Sequence, residues 1–292
     1  TSKTLDIGVD FNAWDGLFGF TADYFSRQRE GLLDRKSGGI PTVVGANLPE
    51  ENLNSDRTYG FDIELTHRNQ IGDFNYGVRG LFSLTRVKRL YVERGPIGSS
   101  WSNWKFNQNN RLQGVHQGLQ GDGQFRSWEE IWSSPVYIGR GTIIGDYKYE
   151  DWNGDGEING NDVHPIRYNQ NPWLNYSLVF DASFKNFDLN LLLQGSAMSS
   201  LVYGEQLRIP MWGSGESGAM EQFMDRWHPI DPTADPYDPN TIWQEGRFAY
   251  TGTLPDENST FNTENSAYFR LKSIELGYTL PTNWINKFGI RK

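Results

Sequence analysis

Hydrophobic and polar residues alternate along about seven stretches of the chain. Because every second side chain of a strand lies on the same face, this alternation predicts strands with one apolar and one polar face. Six of the stretches form three pairs joined by short turns, and a seventh, less regular stretch follows. The predicted strands cover residues 5–12 and 18–24, 59–66 and 74–84, 176–184 and 187–194, and 268–280.

The connections between these stretches alternate between short and long. Tight turns are followed by long segments, which cover residues 29–57, 88–173 and 197–266. Connections longer than roughly 12–15 residues are uncommon in compact domains. In an antiparallel meander, alternate connections lie at the same end of the sheet, so one end would carry all the long segments. Outer-membrane β-barrels have this asymmetry, with short periplasmic turns, long extracellular loops and a polar interior. A soluble β-sandwich with one elaborated end also fits the pattern.

Composition narrows the functional classes. The formal charge is −9 and no long basic run is present, which argues against a nucleic-acid partner. The chain has no Cys, so disulfides, thiolate metal sites and a Cys nucleophile are excluded. No stretch reaches the roughly 20 apolar residues of a membrane-spanning helix, and the first residues lack the pattern of a signal peptide. The aromatic content of 14% suits strands, sugar-binding surfaces or membrane-interface belts.

Residues 151–162, with the sequence DWNGDGEINGND, have the spacing of an EF-hand calcium loop. Ca²⁺ takes roughly six to eight oxygen ligands, which such a loop supplies from alternate positions around a Gly at position 6. The expected ligands are Asp151, Asn153, Asp155, the carbonyl of Glu157, Asn159 and Asp162. Asp162 replaces the usual Glu and no flanking helices are predicted, so we expect a structural Ca²⁺ site and no switch. A metal-free turn built from Asp, Asn and Gly is the alternative. A dockerin-like module would need a second copy and helices, and neither is predicted.

Other chemical motifs are weak. The sequence at 213–218 fits G-x-G-x-x-G, but no βαβ unit surrounds it, which disfavours nucleotide binding. The four His are scattered without metal-ligand spacing, and no G-x-S-x-G nucleophile elbow is present. A glycosidase needs only two suitably spaced carboxylates, which a sequence does not reveal. Because the catalytic motifs are weak or absent, enzymatic activity is disfavoured and we predict none.

Tryptophans are concentrated in the long segments. A Trp ring can stack on a sugar or peptide or contact a partner, and it can equally form the core of a folded loop. We expect a few of them to contact ligand or partner and the others to be structural. These residues are Trp101, Trp104, Trp128 and Trp132 in the second long segment and Trp212, Trp227 and Trp243 in the third.

Several segments, taken in order, resemble a known family. They include RTYGFDIELTHRNQIGDFNYGVRGLFSLTR, GDYKYEDWNGDGEINGNDVHPI, NQNPWLNYSLVFDASFKNFDLNLLLQGS, FMDRWHPIDPTADPY and NSAYFRLKSIELGYTLPTNWINKFGI. Together with LDIGVDFNAWDGLFGFTADYFSRQREGLL they resemble the C-terminal barrel portion of SusC/RagA-like TonB-dependent outer-membrane transporters of Bacteroidetes. The resemblance covers nearly the whole chain.

The resemblance implies an all-β fold, in which residues 1–292 form part of a transmembrane β-barrel of about 22 strands around a plug. It implies active import of oligosaccharides or oligopeptides across the outer membrane. The implied partners are a SusD-like lipoprotein lid, outer-membrane lipid, and the TonB complex through parts outside this chain. The calcium-like loop would then brace an extracellular loop, and residues 281–289 would form a periplasmic turn. The alternative is a soluble, calcium-stabilised, carbohydrate-binding β-sandwich, either alone or attached to a glycosidase.

Overall fold

The computed structural model describes residues 1–36, 45, 48–95, 97–137, 142–209, 218–252, 254–256 and 258–281. Most of these residues form strands, and the helices are short. The strands are β1 (Ser2–Ala13), β2 (Phe18–Arg35), β3 (Glu50–Ile71), β4 (Phe74–Tyr91), β5 (Arg111–Leu112), β6 (Val115–Gly118), β7 (Gly121–Gln124), β8 (Val136–Tyr137), β9 (Tyr147–Tyr149), β10 (Glu157–Ile158), β11 (His164–Tyr168), β12 (Leu174–Phe184), β13 (Phe187–Ala197), β14 (Ser200–Val202), β15 (His228–Pro229), β16 (Trp243–Gln244), β17 (Thr263–Asn265) and β18 (Tyr268–Tyr278). The helices are α1 (Ser100–Phe106), α2 (Trp128–Ser133) and α3 (Glu205–Arg208), with 3-10 turns at Glu221–Met224 and Thr260–Asn262.

The main sheet is an antiparallel meander. Its strands are ordered β1-β2-β3-β4-β12-β13-β18, and β5 pairs with the far end of β4. Tight turns join β1 to β2, β3 to β4 and β12 to β13. The turn between β12 and β13 contains only Lys185 and Asn186, as the alternation predicts, and Lys185 has a left-handed backbone with φ 54°. The predicted all-β antiparallel meander is therefore confirmed.

The strands near the long connections are longer than predicted. Strand β2 continues to Arg35 and β3 begins at Glu50, so the predicted loop 29–57 is wrong at both ends. Likewise β4 continues to Tyr91, beyond the predicted start of the second long segment. The reason is that most residues beyond Phe25 are polar on both faces, and the few apolar ones, such as Leu32 and Leu33, do not alternate. Alternation disappears there, while cross-strand pairing continues through pairs such as Gln28 with Arg57.

The chain divides into two compact units, whereas the sequence was interpreted as one domain. Unit 1 comprises residues 1–114, 172–198 and 267–292, and contains the main sheet. Unit 2 comprises residues 115–171 and 199–266, which belong to the two longer connecting segments. These segments are folded and are held by short strand pairs, β6 with β11, β7 with β9, β8 with β10, β14 with β17 and β15 with β16.

Buried apolar side chains are distributed very unequally between the units. Among the described residues, ten of the eleven buried hydrophobic side chains belong to unit 2, and only Trp173 belongs to unit 1. The core of unit 2 contains Leu119, Tyr147, Tyr149, Ile158 and Ala249, with Tyr137, Val163 and Phe261 packed against it. Unit 2 thus has the hydrophobic core of an ordinary folded domain. The main sheet needs another source of stabilisation for its apolar face.

Candidate functional site

The main sheet of unit 1 has an extended, exposed apolar face. Cross-strand pairing places one residue from each long strand side by side, in the row Phe11, Phe20, Leu65, Gly80, Leu178, Leu193 and Leu271. Within this row Leu178 is 37% exposed and Leu271 53% exposed. Soluble monomers rarely expose a continuous apolar surface of this extent. The face therefore requires an apolar environment outside the described chain.

The height of this face matches a membrane. On β12 the apolar positions run from Leu174 to Phe184. At about 3.3 Å per residue and a tilt near 40°, this run rises roughly 25 Å, which is the height of the apolar band of an outer-membrane barrel. We call this surface, from the row of Leu84 and Leu174 to the row of Phe74 and Phe184, the apolar band.

Aromatic side chains mark both edges of the apolar band. At the tight-turn edge, neighbouring strands contribute Ile71, Phe74, Phe184, Phe187 and Tyr278 to one row. The rings of Phe187 and Tyr278 lie with centroids 4.7 Å apart. Toward the opposite edge, Phe61 stacks on Phe82 at 6.1 Å and Tyr176 on Phe269 at 5.9 Å. Such aromatic girdles are typical of the two membrane–water interfaces of transmembrane barrels.

The opposite face of the main sheet is polar. The row Asp10, Thr21, Glu64, Leu81, Ser177, Gln194 and Arg270 crosses it with a single apolar member. A cavity of about 300 Å³ on this face is lined by Asp23, Asp62, Glu64 and Gln194, together with other residues. The sheet therefore separates an apolar side from a hydrophilic side, as the wall of a water-filled barrel does.

The calcium-like loop 151–162 is closed by hydrogen bonds from its own backbone. The Asp151 carboxylate accepts from the N–H groups of Gly154 at 2.7 Å and Gly156 at 2.8 Å. The hydrogen bond from Gly156 is the main cause of a lowered Asp151 pKa, so this carboxylate is ionised at neutral pH. Gly156 itself has φ +87°, a conformation that favours Gly at this position.

Asp162 is the central acceptor of the loop. Its side chain is 0% exposed, its Oδ1 accepts from Trp152 N at 3.1 Å, and its Oδ2 accepts from Asn159 N at 2.7 Å. Ile158 lies between these positions in the sequence, is 2% exposed and anchors the loop in the unit 2 core. Glu157 and Ile158 of the loop pair with Val136 and Tyr137 of β8, so the loop is joined to a second segment of unit 2. In the described part of the chain it is flanked by strands β9 and β11 and by no helix, as predicted.

The loop offers oxygen atoms of the kind that Ca²⁺ prefers. Within the described residues, however, no group of three or more His, Asp or Glu side chains converges closely enough to hold a metal ion. Instead of a common centre, the carboxylates face backbone N–H groups. Asp155, for example, accepts from Glu157 N at 2.9 Å and from Asn153 Nδ2 at 2.8 Å. The ligand set predicted for Ca²⁺ thus remains a prediction.

The predicted Trp residues fall into exposed pairs and structural positions. In α1, Trp101 and Trp104 lie with ring centroids 5.1 Å apart and are 41% and 57% exposed. In α2, Trp128 and Trp132 lie 6.4 Å apart, and Tyr237, which the sequence did not single out, lies 6.3 Å from Trp128. These two groups have rings available to a ligand or partner.

The Trp residues of the third long segment differ from these pairs. Trp227 is 4% exposed, and its Cβ lies 2.6 Å from the position that a Cβ on Gly145 would occupy. It therefore belongs to the core of unit 2, and the expectation of ligand contact is wrong for this residue. Trp243 packs edge-on against Tyr250 at 5.2 Å. Trp212 lies outside the described residues, as do most of the 213–218 motif and the predicted turn at 281–289.

Unit 2 contains a cavity of about 430 Å³ that the sequence does not predict. Its lining includes Met220, Phe223, Met224, Tyr147 and Arg226. Burial is the main cause that raises the pKa of Tyr147 to about 12, so its hydroxyl stays protonated there. The lining comes from positions that are far apart in the sequence, and no periodic pattern connects them. Among the lining residues, Met220, Phe223 and Met224 are close together in the sequence, and this apolar group is the local feature that indicates the cavity.

The chain is similar to known TonB-dependent receptors. No family model matches the chain. TonB-dependent receptor P26 of Formosa agariphila is 27% identical over 308 residues, which cover 100% of this chain and 29% of the relative. TonB-dependent receptor P3 of the same organism is 24% identical over 304 residues, covering 100% of the chain and 28% of the relative. The chain therefore spans less than a third of the length of these curated relatives.

Solved structures share the fold. The RagAB peptide importer in its closed-closed state aligns with a TM-score of 0.64 and 14% identity over 97% of this chain and 29% of that chain. Its open-open state aligns with a TM-score of 0.65 and 15% identity over 97% of this chain and 28% of that chain. None of the described helices is both long and apolar enough to cross a membrane.

The named relatives are a TonB-dependent receptor and a peptide importer, which agrees with the prediction of no enzymatic activity. The two-faced sheet, the full-length match to TonB-dependent receptors and the RagAB-like fold agree with one another. These findings support a SusC/RagA-like TonB-dependent receptor, because the chain is similar over its whole length to TonB-dependent receptors and its fold is similar to that of part of the RagAB peptide importer.

Proposed function

We propose that the protein carrying this chain imports oligosaccharides or oligopeptides across the outer membrane by a TonB-dependent mechanism. The observation that carries the proposal is the two-faced sheet, whose apolar band suits lipid and whose polar face suits a hydrophilic passage. The named relatives are TonB-dependent receptors, which supports energy-coupled uptake. By the resemblance, a SusD-like lipoprotein forms the lid, and the exposed aromatic pairs of α1 and α2 are candidates for contact with cargo or lid.

Uptake measurements test this proposal and separate the two cargo classes. Cells that carry or lack the gene are supplied with either a defined oligopeptide mixture or a defined oligosaccharide mixture as the limiting nutrient. We expect uptake of one class to require both the gene and a functional TonB complex. Deleting the SusD-like partner should reduce uptake of the same class. Equal uptake of both mixtures in cells with and without the gene would contradict import.

We further propose that loop 151–162 binds Ca²⁺ as a structural brace. Asp151, Asp155 and Asp162 would supply charged oxygens, and Asn153, Asn159 and the Glu157 carbonyl neutral ones. Each carboxylate oxygen carries two lone pairs, so the hydrogen bonds of the Asp151 carboxylate to Gly154 and Gly156 leave acceptor capacity. The bound ion would neutralise the clustered acidic side chains and stiffen the loop.

Chelation tests the calcium proposal. With free Ca²⁺ at about ten times its dissociation constant, the folded unit gains about 1.4 kcal/mol relative to chelated protein. Hydrogen exchange across residues 147–168 should therefore slow when Ca²⁺ is added, and Asp151→Ala with Asp155→Ala should abolish the change. The matched control replaces Asp231 and Asp235, which also cap backbone N–H groups in unit 2, and should leave the response intact. If hydrogen exchange is the same with added Ca²⁺ and with chelator, the calcium proposal is contradicted and the loop is a metal-free turn.

A further inference from the structure

A group of basic side chains lies on the outward face of the main sheet, directly beyond the apolar band. It contains Arg57 of β3 and Arg86 and Lys88 of β4, and we call it the basic rim. Pairing between β3 and β4 sets Arg57 directly opposite Lys88 and Tyr59 opposite Arg86. These positions share the face of Phe61 and Leu84, because they differ from them by even numbers of residues. The basic rim is therefore continuous with the lipid-facing surface.

The basic rim lies at the level of the headgroup layer and just beyond it. Arg86 and Lys88 follow Leu84 by two and four residues, which places them about 5 and 10 Å beyond the band edge at about 3.3 Å per residue and 40° tilt. The polar layer on each side of a bilayer is roughly 5–8 Å thick. Arg86 therefore lies within the polar layer, and Arg57 and Lys88 lie just beyond its outer limit. The Arg57 side chain extends back toward the band, since its Nη2 donates to the hydroxyl of Tyr24, which pairs with Phe61. The rim lies at the end of the sheet that carries the long connections.

The charges of the basic rim are not neutralised within the described chain. Neither Arg57, Arg86 nor Lys88 forms an ion pair with a described carboxylate. On the same face, the carboxylate of Glu30 is engaged by Lys3 at 3.2 Å and by Gln28 at 2.8 Å. Like charges directly opposite on neighbouring strands are destabilising. An external anion bound between Arg57 and Lys88 would therefore reduce the electrostatic repulsion between them.

The two guanidinium groups are held in place by neighbouring side chains. Arg57 donates from Nε to Ser26 Oγ at 2.8 Å and from Nη2 to Tyr24 Oη at 3.1 Å. Arg86 lies over the ring of Trp173 at 5.2 Å, and its Nε is buried without a hydrogen-bond partner in the described chain. An ordered guanidinium loses little side-chain entropy when it binds an anion, and its planar donors match phosphate oxygens.

We propose that the basic rim binds the phosphate groups of lipids in the adjoining membrane leaflet. Charge complementarity and continuity with the apolar band carry this assignment, because one lipid can place its chains on the band and its phosphate on the rim. The inference rests on the proposed outer-membrane orientation, in which the long connections are extracellular. The outer leaflet then supplies the ligand, a phosphorylated glycolipid of the lipid A type.

The test measures binding of lipid A to the complete, purified protein by native mass spectrometry, together with thermal unfolding. At about 1 kcal/mol per basic residue, Arg57→Gln with Lys88→Gln should weaken lipid A binding about 30-fold. The matched control, Arg68→Gln with Arg79→Gln, removes two charges from the polar face of the same two strands and should leave binding unchanged. Arg57→Lys with Lys88→Arg keeps both charges and should bind within about threefold of the parent.

Four results would overturn the proposal. The first is unchanged affinity in the Arg57 and Lys88 double variant, and the second is an equal loss in the polar-face control. The third is equally tight binding of dephosphorylated lipid A. Millimolar inorganic phosphate distinguishes the source of the anion, since a full thermal shift from phosphate alone would contradict a lipid ligand. The binding assay needs neither cargo nor TonB, so failed uptake with intact lipid A binding would refute the import function alone.

Discussion

Leu178→Arg is expected to lower the free energy of unfolding in a bilayer by about 2–4 kcal/mol, because it places a charge near the midplane of the apolar band. Leu178 lies close to the middle of β12 and between Gly80 and Leu193 of the neighbouring strands. The measurement is reversible denaturant unfolding in lipid vesicles, supported by the amount of folded protein in outer-membrane fractions.

The neighbouring Ser177 provides the matched control for this substitution. Ser177 lies on the polar face, between Leu81 and Gln194, and also lines the cavity on that face. Ser177→Arg should therefore cost less than about 1 kcal/mol, since the new charge remains in water. Equal costs for both variants would show that the two faces of β12 meet the same environment.

Asp162→Ala is expected to destabilise unit 2 by about 3–5 kcal/mol in the presence of chelator. The substitution leaves the partly buried N–H groups of Trp152 and Asn159 without the buried carboxylate that accepts from them, and each such loss costs roughly 1–3 kcal/mol. The loosened loop would also release Ile158 from the core. Hydrogen exchange of residues 147–168 reports the change directly, without requiring the main sheet to unfold.

Asp155→Ala serves as the comparison within the same loop. Asp155 is exposed, and its carboxylate accepts hydrogen bonds only at the surface of the loop. Its removal should cost less than about 1 kcal/mol in chelator, because water replaces the lost acceptor. If Asp162→Ala had no greater effect than Asp155→Ala, the central role of the buried carboxylate would be refuted.

The sequence was sufficient to predict the sheet where one side of each strand meets an apolar environment. Leu5, Ile7, Val9 and Phe11 alternate with polar residues, and this period identifies β1 directly. The same signal fails in the outer parts of β2 and β3, where most residues on both faces are polar and the few apolar ones do not alternate. Pairing there depends on specific contacts such as the ion pair between Arg29 and Asp56, which leave no periodic trace.

The fold of unit 2 could not be predicted in the same way. Its core brings Tyr149 and Phe261 together with ring centroids 5.6 Å apart, although 111 residues separate them in the sequence. Neither residue belongs to an alternating or helical pattern. For the same reason composition could not distinguish the buried Trp227 from Trp132, which is 76% exposed. The turns of loop 151–162 could be predicted because the residues that form them are close together in the sequence.

Lipid exposure along β12 tests the central claim most directly. The chain has no Cys, so a single Cys introduced at each position from 174 to 184 gives one defined site in this segment for a spin label. In proteoliposomes, labels at even-numbered positions should collide with lipid-soluble oxygen, and labels at odd-numbered positions with a water-soluble nickel complex. This alternation would establish that the apolar band faces lipid and the opposite face water. Access of the nickel complex to both sets of positions would contradict the account.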